Sequence, residues 1–355
     1  MRIVILIENT DGQNECAFEH GLSVYVETEK HRLLSDTGAS GKITENAEQL
    51  GIDLKAVDLV CLSHGHYDHA GGLLSFYETN KTAPIYMQRS AVEEYYSGDR
   101  FIGIDPRICD LPTVRYLDGD HKIDDELELF SGVTGRRAWP SGNFTMRRKN
   151  GDQFVQDTFD HEQSLAIHGE KEVLICGCAH CGILNILDRY KELFHRDPDI
   201  VIGGFHMMKK EEYTEEEATV VTETAKELAE KETVYYTGHC TGGKALALME
   251  PILKEKLILL YSGMEIRLEV ICGQKRTGNK RMLREYCFFQ HRDQFFQSGL
   301  VFFCETGKGR AVDIEHTNDL TIFVNRNDNF GTGGGVAGNV PRKQMNVRHK
   351  LRFVF

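Results

Sequence analysis

Short apolar runs and amphipathic stretches alternate along the first 270 residues of the chain. The apolar runs are bounded by glycine or polar residues, which is typical of buried strands. The amphipathic stretches repeat apolar residues every three or four positions, which is typical of helices. The predicted strands are residues 22–27, 31–36, 57–64, 172–177, 199–204 and a run that begins at 234; the predicted helices are residues 43–52, 214–232 and 244–255.

The second of these helices has the clearest start signal. Thr214 is followed three positions later by Glu217, which is a capping-box pattern. Residues 71–179, in contrast, are polar and show few clear periodicities. Within them, the basic segment 135–151 resembles a loop, and we expect it to supply surface elements over the functional site.

Several predicted strands end in a histidine. His180, His206 and His239 follow the runs at 172–177, 199–204 and 234, and the run at 57–64 ends in a dense histidine cluster. Loops at strand ends are held in fixed relative positions by the sheet, so functional side chains gather there. The pattern therefore predicts one site built from several strand ends.

The cluster itself is SHGHYDHAGG, residues 63–72, with His64, His66, Asp68 and His69 within six positions. Imidazole nitrogens and carboxylate oxygens suit Zn²⁺ and similar divalent ions. Four such groups in six residues exceed what one tetrahedral structural site takes from a short loop. Two adjacent metal ions, each receiving part of the loop, explain the spacing better than a surface histidine cluster.

Composition and charge narrow the function classes. The chain has a net charge of −12, but residues 271–355 carry 14 basic against 7 acidic residues, so the first 270 residues carry a net charge of −19. Such an acidic body disfavours nucleic-acid binding. No apolar run approaches the ~20 residues of a membrane span, and the N-terminal run lacks the features of a signal peptide. We therefore expect a cytoplasmic protein whose ten cysteines are reduced or bind metal.

These motifs resemble those of the metallo-β-lactamase superfamily, and the resemblance covers residues 1–270. The segments EHGLSVYVE, DTGAS, SHGHYDHAGG, GCAHCGI, GGFHM and TGHCTGG are similar to those of one branch, the dihydropterin-ribofuranosylaminobenzene-phosphate synthase-like group. The resemblance implies an α/β fold, an αββα sandwich of two mixed β-sheets between helices, with a dinuclear metal site.

Carried over position by position, the resemblance also implies a ligand set. Asp36 would orient a ligand imidazole, and Asp68 and His206 are the candidate catalytic residues. The superfamily usually supplies a bridging aspartate between the last two histidines, whereas His206 occupies that slot here. An imidazole cannot bridge two ions as a carboxylate does. The implied ligands are His64, His66 and His180 for one metal ion, and Asp68, His69 and His239 for the other.

Further residues are candidates for substrate contact. In the related branch, the loops that here carry Glu19, His20, His161 and Glu162 face the site. The turn after His239 leads into a helix, so its backbone N–H groups could seat a phosphate. The corresponding candidates in that turn are Thr241 and Gly242. The cysteines of CGCAHC, residues 176–181, have no zinc-ribbon partner pair, and we interpret them and Cys240 as small buried apolar residues.

The chemistry predicts a metal-dependent hydrolase acting on a small phosphorylated or ester substrate. One or two divalent ions, zinc first and manganese or iron as alternatives, would lower the pKa of bound water to ~7 and so give hydroxide at neutral pH. The branch resemblance favours as an alternative a transferase that joins a pterin diphosphate to an aminobenzene ribotide. A redox protein is a weaker alternative, because the diiron flavoproteins of this fold typically replace the histidine at the position of His66 by glutamate.

The C-terminal residues 271–355 differ from the rest of the chain. They are basic, and their Gly-rich segment 331–339 resembles a flexible linker. Residues 299–305 and 319–325 are predicted strands. We expect a weakly ordered extension or a small β-rich appendage that is dispensable for chemistry.

Overall fold

The computed structural model describes residues 1–268 and two further short strands, Val312–Glu315 and Thr321–Val324. The chain divides into two units, Met1–Asn279 and Lys280–Phe355. The domain boundary at residue 270 stays a prediction. Within the described part of the chain, no helix combines the length and the apolar character needed to cross a bilayer.

The first unit is built from short strands and six α-helices within its described residues. The helices are α1 (Lys42–Gln49), α2 (Tyr67–Ala70), α3 (Leu73–Thr79), α4 (Ile183–Phe194), α5 (Glu215–Ala229) and α6 (Gly243–Leu253). The strands are β1 (Arg2–Ile7), β2 (Ser23–Glu27), β3 (Arg32–Ser35), β4 (Leu59–Cys61), β5 (Ile85–Gln88), β6 (Tyr95–Ser97), β7 (Arg100–Phe101), β8 (Val114–Leu117), β9 (His121–Lys122), β10 (Leu127–Phe130), β11 (Met146–Asn150), β12 (Gln153–Gln156), β13 (Ser164–Ile167), β14 (Val173–Cys176), β15 (Ile200–Gly203), β16 (Val234–Thr237), β17 (Leu257–Leu259) and β18 (Glu265–Arg267). Short 3₁₀ turns occupy Leu54–Ala56, Arg89–Val92, Pro106–Asp110, Ser141–Thr145, His239–Thr241 and Lys254–Lys256.

Two seven-stranded mixed sheets dominate this unit. The first has the order β18-β1-β2-β3-β4-β5-β8, and the second has the order β17-β16-β15-β14-β13-β10-β9. In each sheet one half is antiparallel and the other is parallel: the parallel strands are β3, β4, β5 and β8 in the first sheet and β14 to β17 in the second. Parallel strands end at the same edge, so each sheet offers a row of loops at one edge.

Three apolar layers hold the sheets and helices together. Alternation along β1 sends Ile3 and Ile5 into a layer shared with residues of the second sheet such as Leu129, while Val4 and Leu6 pack on the opposite face against α1 and α3. A third layer joins the far face of the second sheet to α4, α5 and α6. Each fully buried Ile or Leu contributes about 1.5–3 kcal/mol. The result is helices, sheet, sheet, helices, which confirms the αββα arrangement.

The strongest local signals are confirmed. The predicted strands correspond to β2, β3, β4, β14, β15 and β16, and the predicted helices correspond to α1, α5 and α6. The capping box is present, because the Thr214 hydroxyl accepts the N–H of Glu217 at 3.2 Å and the Glu217 carboxylate accepts the N–H of Thr214 at 2.9 Å. The predicted strand 57–64 is shorter, since only Leu59–Cys61 is extended and the histidine cluster leaves the sheet.

The stretch 71–179 contains more regular structure than its pattern indicated. It includes a four-stranded sheet of order β12-β11-β6-β7. The segment 135–151, which we interpreted as a loop, contains a 3₁₀ turn at Ser141–Thr145 and strand β11. Most side chains of β11 and β12 are partly or fully exposed, so their strands lack the apolar alternation that marks a buried sheet.

In the second unit, Val312–Glu315 and Thr321–Val324 pair antiparallel, with Val312 opposite Val324. The second of these strands lies within residues 319–325, where a strand was predicted. The predicted strand at 299–305 and the Gly-rich segment 331–339 lie outside the described residues.

Candidate metal centre

Four parallel strands deliver the histidines of the site. Strand β4 of the first sheet runs into the cluster at residues 63–72, and β14, β15 and β16 of the second sheet lead to His180, His206 and His239. The imidazoles of His64, His66, His69, His180 and His239 are all buried. The prediction that strand ends build one site therefore matches the placement of these side chains.

Two glycines allow the cluster loop to pass close to neighbouring backbone. A Cβ atom on Gly65 would lie 2.2 Å from the carbonyl oxygen of Ala91, and one on Gly71 would lie 2.1 Å from the carbonyl oxygen of Ala39. No larger residue fits at these distances. The loop is thus pressed against its surroundings, and α2 starts at Tyr67 with the Asp68 and His69 side chains buried.

One set of imidazole nitrogens comes from His64, His66 and His180. The Nε2 atoms of His64 and His180 are 3.3 Å apart, and one ligand nitrogen from each of the three residues fits within 4.8 Å of the others. Two nitrogens on one tetrahedral zinc at ~2.0–2.1 Å are roughly 3.3–3.4 Å apart. Among the described residues, the buried His66 Nε2 has no hydrogen-bond partner, which is the state of a nitrogen reserved for a metal ion.

A second set comes from His69, His239 and Asp68. The Nε2 atoms of His69 and His239 are 3.2 Å apart, and Asp68 Oδ2 lies 3.4 Å from His239 Nε2 and 3.9 Å from His69 Nε2. His20 Nε2 lies 3.3 Å from the same carboxylate oxygen. The His20 side chain is 45% exposed, so this imidazole stands at the solvent side of the second set.

The four inward-facing Nε2 atoms are oriented by hydrogen bonds on the opposite ring nitrogens. This is the arrangement that protein metal sites use to fix an imidazole ligand. The partner side chains are those of Ser63, Asp36, Asn143 and Asn9, which contact the Nδ1 atoms of His64 at 2.8 Å, His69 at 2.7 Å, His180 at 3.0 Å and His239 at 2.8 Å, respectively. Asp36 thus lies where the resemblance put it, whereas the sequence did not single out Ser63, Asn9 and Asn143.

The pKa values of the buried imidazoles differ between the two ligand sets. Burial lowers the pKa of His66 to about 3 and holds the pKa of His64 and of His180 well below the usual value. These imidazoles are neutral at pH 7 and keep a lone pair for a metal ion. Burial alone would also lower the pKa of His69, but the Asp36 and Asp68 carboxylates raise it to about 9. A cation bound there would displace this proton.

Two buried glutamates hold the backbone of the histidine-bearing loops. The carboxylate of Glu162 accepts the N–H of His180 at 2.6 Å and the N–H of Cys181 at 2.8 Å. Glu8 accepts the backbone N–H of His239 in the same manner. Glu162 was a candidate for substrate contact, but both of its oxygens are occupied by backbone donors. We therefore assign it a positioning role.

His161 also has internal partners. Its Nδ1 accepts the N–H of Gly65 at 2.9 Å, its Nε2 lies 3.2 Å from Asp157 Oδ2, and its side chain is fully buried. Glu19 accepts the N–H of Ala39 at 3.0 Å and the hydroxyl of Ser40 at 2.7 Å. Both side chains brace loops of the site, and neither is free to contact substrate.

The turn predicted to bind a phosphate likewise contacts other residues of the protein. The Thr241 hydroxyl accepts the N–H of Phe205 at 2.9 Å and lies 2.6 Å from the hydroxyl of Thr237. Gly242 has a φ of +76°, and a Cβ there would lie 2.8 Å from the Cα of Met208. Of the six candidates for substrate contact, only His20 has a side chain that is substantially exposed beside the two ligand sets.

His206 lies against the first ligand set. Its ring centroid is 4.0 Å from that of His180, and its backbone N–H donates to Cys240 Sγ at 3.2 Å. Within the described chain, the buried Nδ1 of His206 has no hydrogen-bond partner. A Cβ on Gly142 would lie 3.2 Å from His206 Nε2, so the segment predicted to cover the site does contact it.

Cys178 is a site residue that the sequence did not reveal. Its Sγ atom lies 3.2 Å from His69 Nε2. Cys176 and Cys181, in contrast, belong to the apolar layer beneath α4, α5 and α6, as we interpreted them. The CGCAHC pattern gives no signal that separates its second cysteine from the other two, because the difference comes from the loop conformation.

Several non-glycine residues of the site have positive backbone φ angles. Asp36, Ala179, His206 and His239 have φ values of +60°, +52°, +48° and +45°. Such conformations cost of order 1–3 kcal/mol each and cluster at functional sites, where surrounding contacts enforce them. At Asp36 and His239 the enforcing contacts include the side-chain hydrogen bonds described above, and at His206 they include the backbone N–H bond to Cys240 Sγ.

Comparison with known proteins agrees with this geometry. The family model described as the metallo-beta-lactamase superfamily matches residues 17–142. The chain is 28% identical to a 7,8-dihydropterin-6-methyl-4-(beta-D-ribofuranosyl)-aminobenzene-5'-phosphate synthase of Methanocaldococcus jannaschii, covering 75% of this chain and 96% of the synthase. It is also 30% identical to the uncharacterized protein MJ0448 of that organism, covering 58% of this chain and 79% of the relative.

A solved structure supports the same family assignment. The crystal structure of Tm1679, described as a metal-dependent hydrolase of the beta-lactamase superfamily, matches with a TM-score of 0.65 and 30% identity over 76% of this chain and 100% of that one. The fold, the histidine-bearing strand ends and these relatives agree, and the chain belongs to the metallo-β-lactamase superfamily.

Proposed function

We propose that this protein is a metal-dependent hydrolase that cleaves a small ester or phosphorylated compound. The observation that carries the proposal is the convergence of two buried ligand sets, in which Nε2 atoms approach each other to 3.3 Å and 3.2 Å. Nitrogen pairs at this separation, oriented from behind by hydrogen bonds, have the geometry of a metal site. Membership of the superfamily and the similarity to Tm1679, described as a metal-dependent hydrolase, support it.

The donor atoms fit divalent ions that accept imidazole and carboxylate ligands. His64, His66 and His180 would hold one ion, and Asp68, His69 and His239 would hold a second. Zinc suits this set best, and manganese or iron would also fit. When bound, such ions act as Lewis acids and lower the pKa of water.

The protein's own residues would prepare and position the reactants. The residues of the two ligand sets are buried, whereas the His20 side chain beside the second set is 45% exposed. His20 is therefore placed to contact a substrate that enters, and the unpaired nitrogen of His206 is placed to contact it from the opposite ligand set. Asp68 belongs to the second ligand set and also fixes His20.

A transferase reaction is the second candidate. It is favoured by the similarity to the dihydropterin-linked synthase, which extends over 96% of that protein. Both reactions need a site that polarises a phosphate or ester oxygen, so the ligand sets serve either. They differ in the acceptor, which is water for a hydrolase and an aminobenzene ribotide for the transferase.

The test combines metal analysis with product analysis. Protein purified without chelators should contain one to two equivalents of divalent metal, and His64→Ala and Asp68→Ala should each lose metal and turnover while staying folded. His195→Asn, which removes an exposed imidazole outside the cluster, is the matched control and should change neither. Phosphodiesters, lactones and a pterin diphosphate, each with and without the ribotide acceptor, would separate hydrolysis from transfer. Absence of metal after reconstitution would refute the proposal.

A further inference from the structure

Among the described residues, the first ligand set consists of imidazoles alone, and the second contains the carboxylate of Asp68. Asp68 Oδ2 is near His69, His239 and His20, which all lie on the side of the second set. The slot where the superfamily usually offers a bridging aspartate contains His206, and an imidazole has one lone pair available at a time. If the two ion sites share a protein ligand, that ligand is therefore neither Asp68 nor His206.

The thiol of Cys178 lies between the two sets. Its sulfur is 3.2 Å from His69 Nε2 of the second set. It also lies within 4.8 Å of ligand atoms of His64 and His180, which belong to the first set, and of His239, which belongs to the second. Cys240, in comparison, groups with Cys178 and with His239 of the second set.

The Cys178 thiol is buried but is not packed in an apolar layer. Cys178 is 3% exposed, yet within the described residues it belongs to none of the three apolar layers that take up its neighbours Cys176 and Cys181. A cysteine that packs as a small apolar residue is surrounded by carbon atoms. The Cys178 sulfur instead faces imidazole nitrogens, which is the environment of a metal ligand.

We propose that Cys178 is a ligand shared by the two metal ions and replaces the missing bridging carboxylate; this inference rests on the metal centre of the proposed function. A thiolate sulfur has three lone pairs and can bind two ions at once. On metal binding the S–H bond breaks, its proton leaves to solvent, and sulfur–metal bonds form. Because thiolate is a soft ligand, it also favours zinc or iron over manganese.

Cys240 is the alternative candidate for the shared ligand, but its sulfur already contacts two backbone groups. It accepts the backbone N–H of His206 at 3.2 Å and points at the Cys178 carbonyl oxygen at 3.6 Å. Its sulfur lies within 4.8 Å of ligand atoms of His239 and Cys178. Cys240 therefore supports the loop that carries His206.

The test uses Co²⁺ as a spectroscopic probe of the full-length protein. The wild-type protein loaded with Co²⁺ should show an intense near-ultraviolet thiolate-to-cobalt band. Cys178→Ser should lose this band and bind Zn²⁺ at least ~10-fold more weakly, since even outer-shell changes cost 10–100-fold. Cys176→Ser and Cys240→Ser, which remove neighbouring buried thiols, should keep the band.

X-ray absorption at the zinc edge gives a second measurement that needs no change at Cys178. The zinc-loaded wild-type and Cys240→Ser proteins should both show a sulfur neighbour at ~2.3 Å, so the inference stays testable if Cys178→Ser does not fold. Bound metal with nitrogen and oxygen neighbours only, or a sulfur signal lost in Cys240→Ser, would overturn the role of Cys178 and leave the metal centre intact. Failure of the wild-type protein to bind Co²⁺ or Zn²⁺ would instead refute the proposed function.

Discussion

Replacing Glu162 tests whether a buried carboxylate positions the His180 loop or contacts substrate. The two oxygens of Glu162 accept the N–H groups of His180 and Cys181 at 2.6 Å and 2.8 Å, and the residue is 6% exposed. Glu162→Ala leaves both buried donors without a partner. Each unsatisfied donor costs about 1–3 kcal/mol, so the free energy of unfolding should fall by about 2–6 kcal/mol. Glu162→Gln keeps one acceptor oxygen and should lose about half as much.

The measurement is urea unfolding of the metal-free proteins, so that metal loss does not add to the difference. With an m value of about 3 kcal/mol/M, the midpoint of Glu162→Ala should fall by roughly 0.7–2 M urea. Glu170→Ala is the control, because this exposed glutamate lies on the same segment and surface substitutions usually stay within about 0.5 kcal/mol. An unchanged midpoint for Glu162→Ala combined with a raised KM would refute the positioning role.

Four other changes test the site and the fold. Asp36→Asn should weaken metal binding about 10–100-fold in a chelator competition, and unchanged affinity would contradict its orienting role. His206→Ala should keep the metal content and lower kcat/KM by roughly 10²-fold or more; loss of one metal equivalent would make it a ligand, and no change would remove it from the site. Burial opposes protonation of His31, but Asp124 and Asp58 raise its pKa. Its stabilising charge is therefore present below about pH 6.5 and lost as pH rises through the raised value, so His31→Gln should lower the melting temperature at pH 5.5 more than at pH 9. A chain ending at Val270 should retain metal and turnover, and a folded, metal-loaded but inactive truncation would show that the tail shapes the site.

Local sequence patterns predict the strands and helices whose own residues show a clear apolar periodicity. The apolar runs of β14, β15 and β16 and the amphipathic α5 were identifiable because each carries its own periodicity. The four-stranded sheet was not, because the pattern of β11 and β12 is mostly exposed and their pairing, Arg147 with Gln156, depends on a turn. Strand β4 was predicted too long because distant side chains bind the backbone after it: the N–H of Ser63 donates to Asp36 and the N–H of Gly65 donates to His161, so the histidine cluster leaves the sheet.

The same distinction holds for the site. The candidate ligand histidines were identifiable from the dense cluster within residues 63–72 and, for His180 and His239, from the resemblance to the superfamily motifs. Their supporting partners were not, because Asn9 meets His239 across 230 positions of sequence. The position of the Cys178 sulfur, 3.2 Å from His69 Nε2, was not identifiable, because a thiol's surroundings depend on the fold and CGCAHC does not encode them.

The distribution of the ligands over both sheets also has a consequence for the lifetime of the protein. His64 and His69 extend from the first sheet, whereas His180 and His239 extend from the second. An ion bound by the proposed ligands would therefore link the two sheets, which otherwise face each other across an apolar layer. Ligand binding restricted to the native state adds about 4 kcal/mol at a thousandfold excess over Kd. Metal supply would then govern resistance to proteolysis, because in metal-starved protein the sheets separate at a lower free-energy cost.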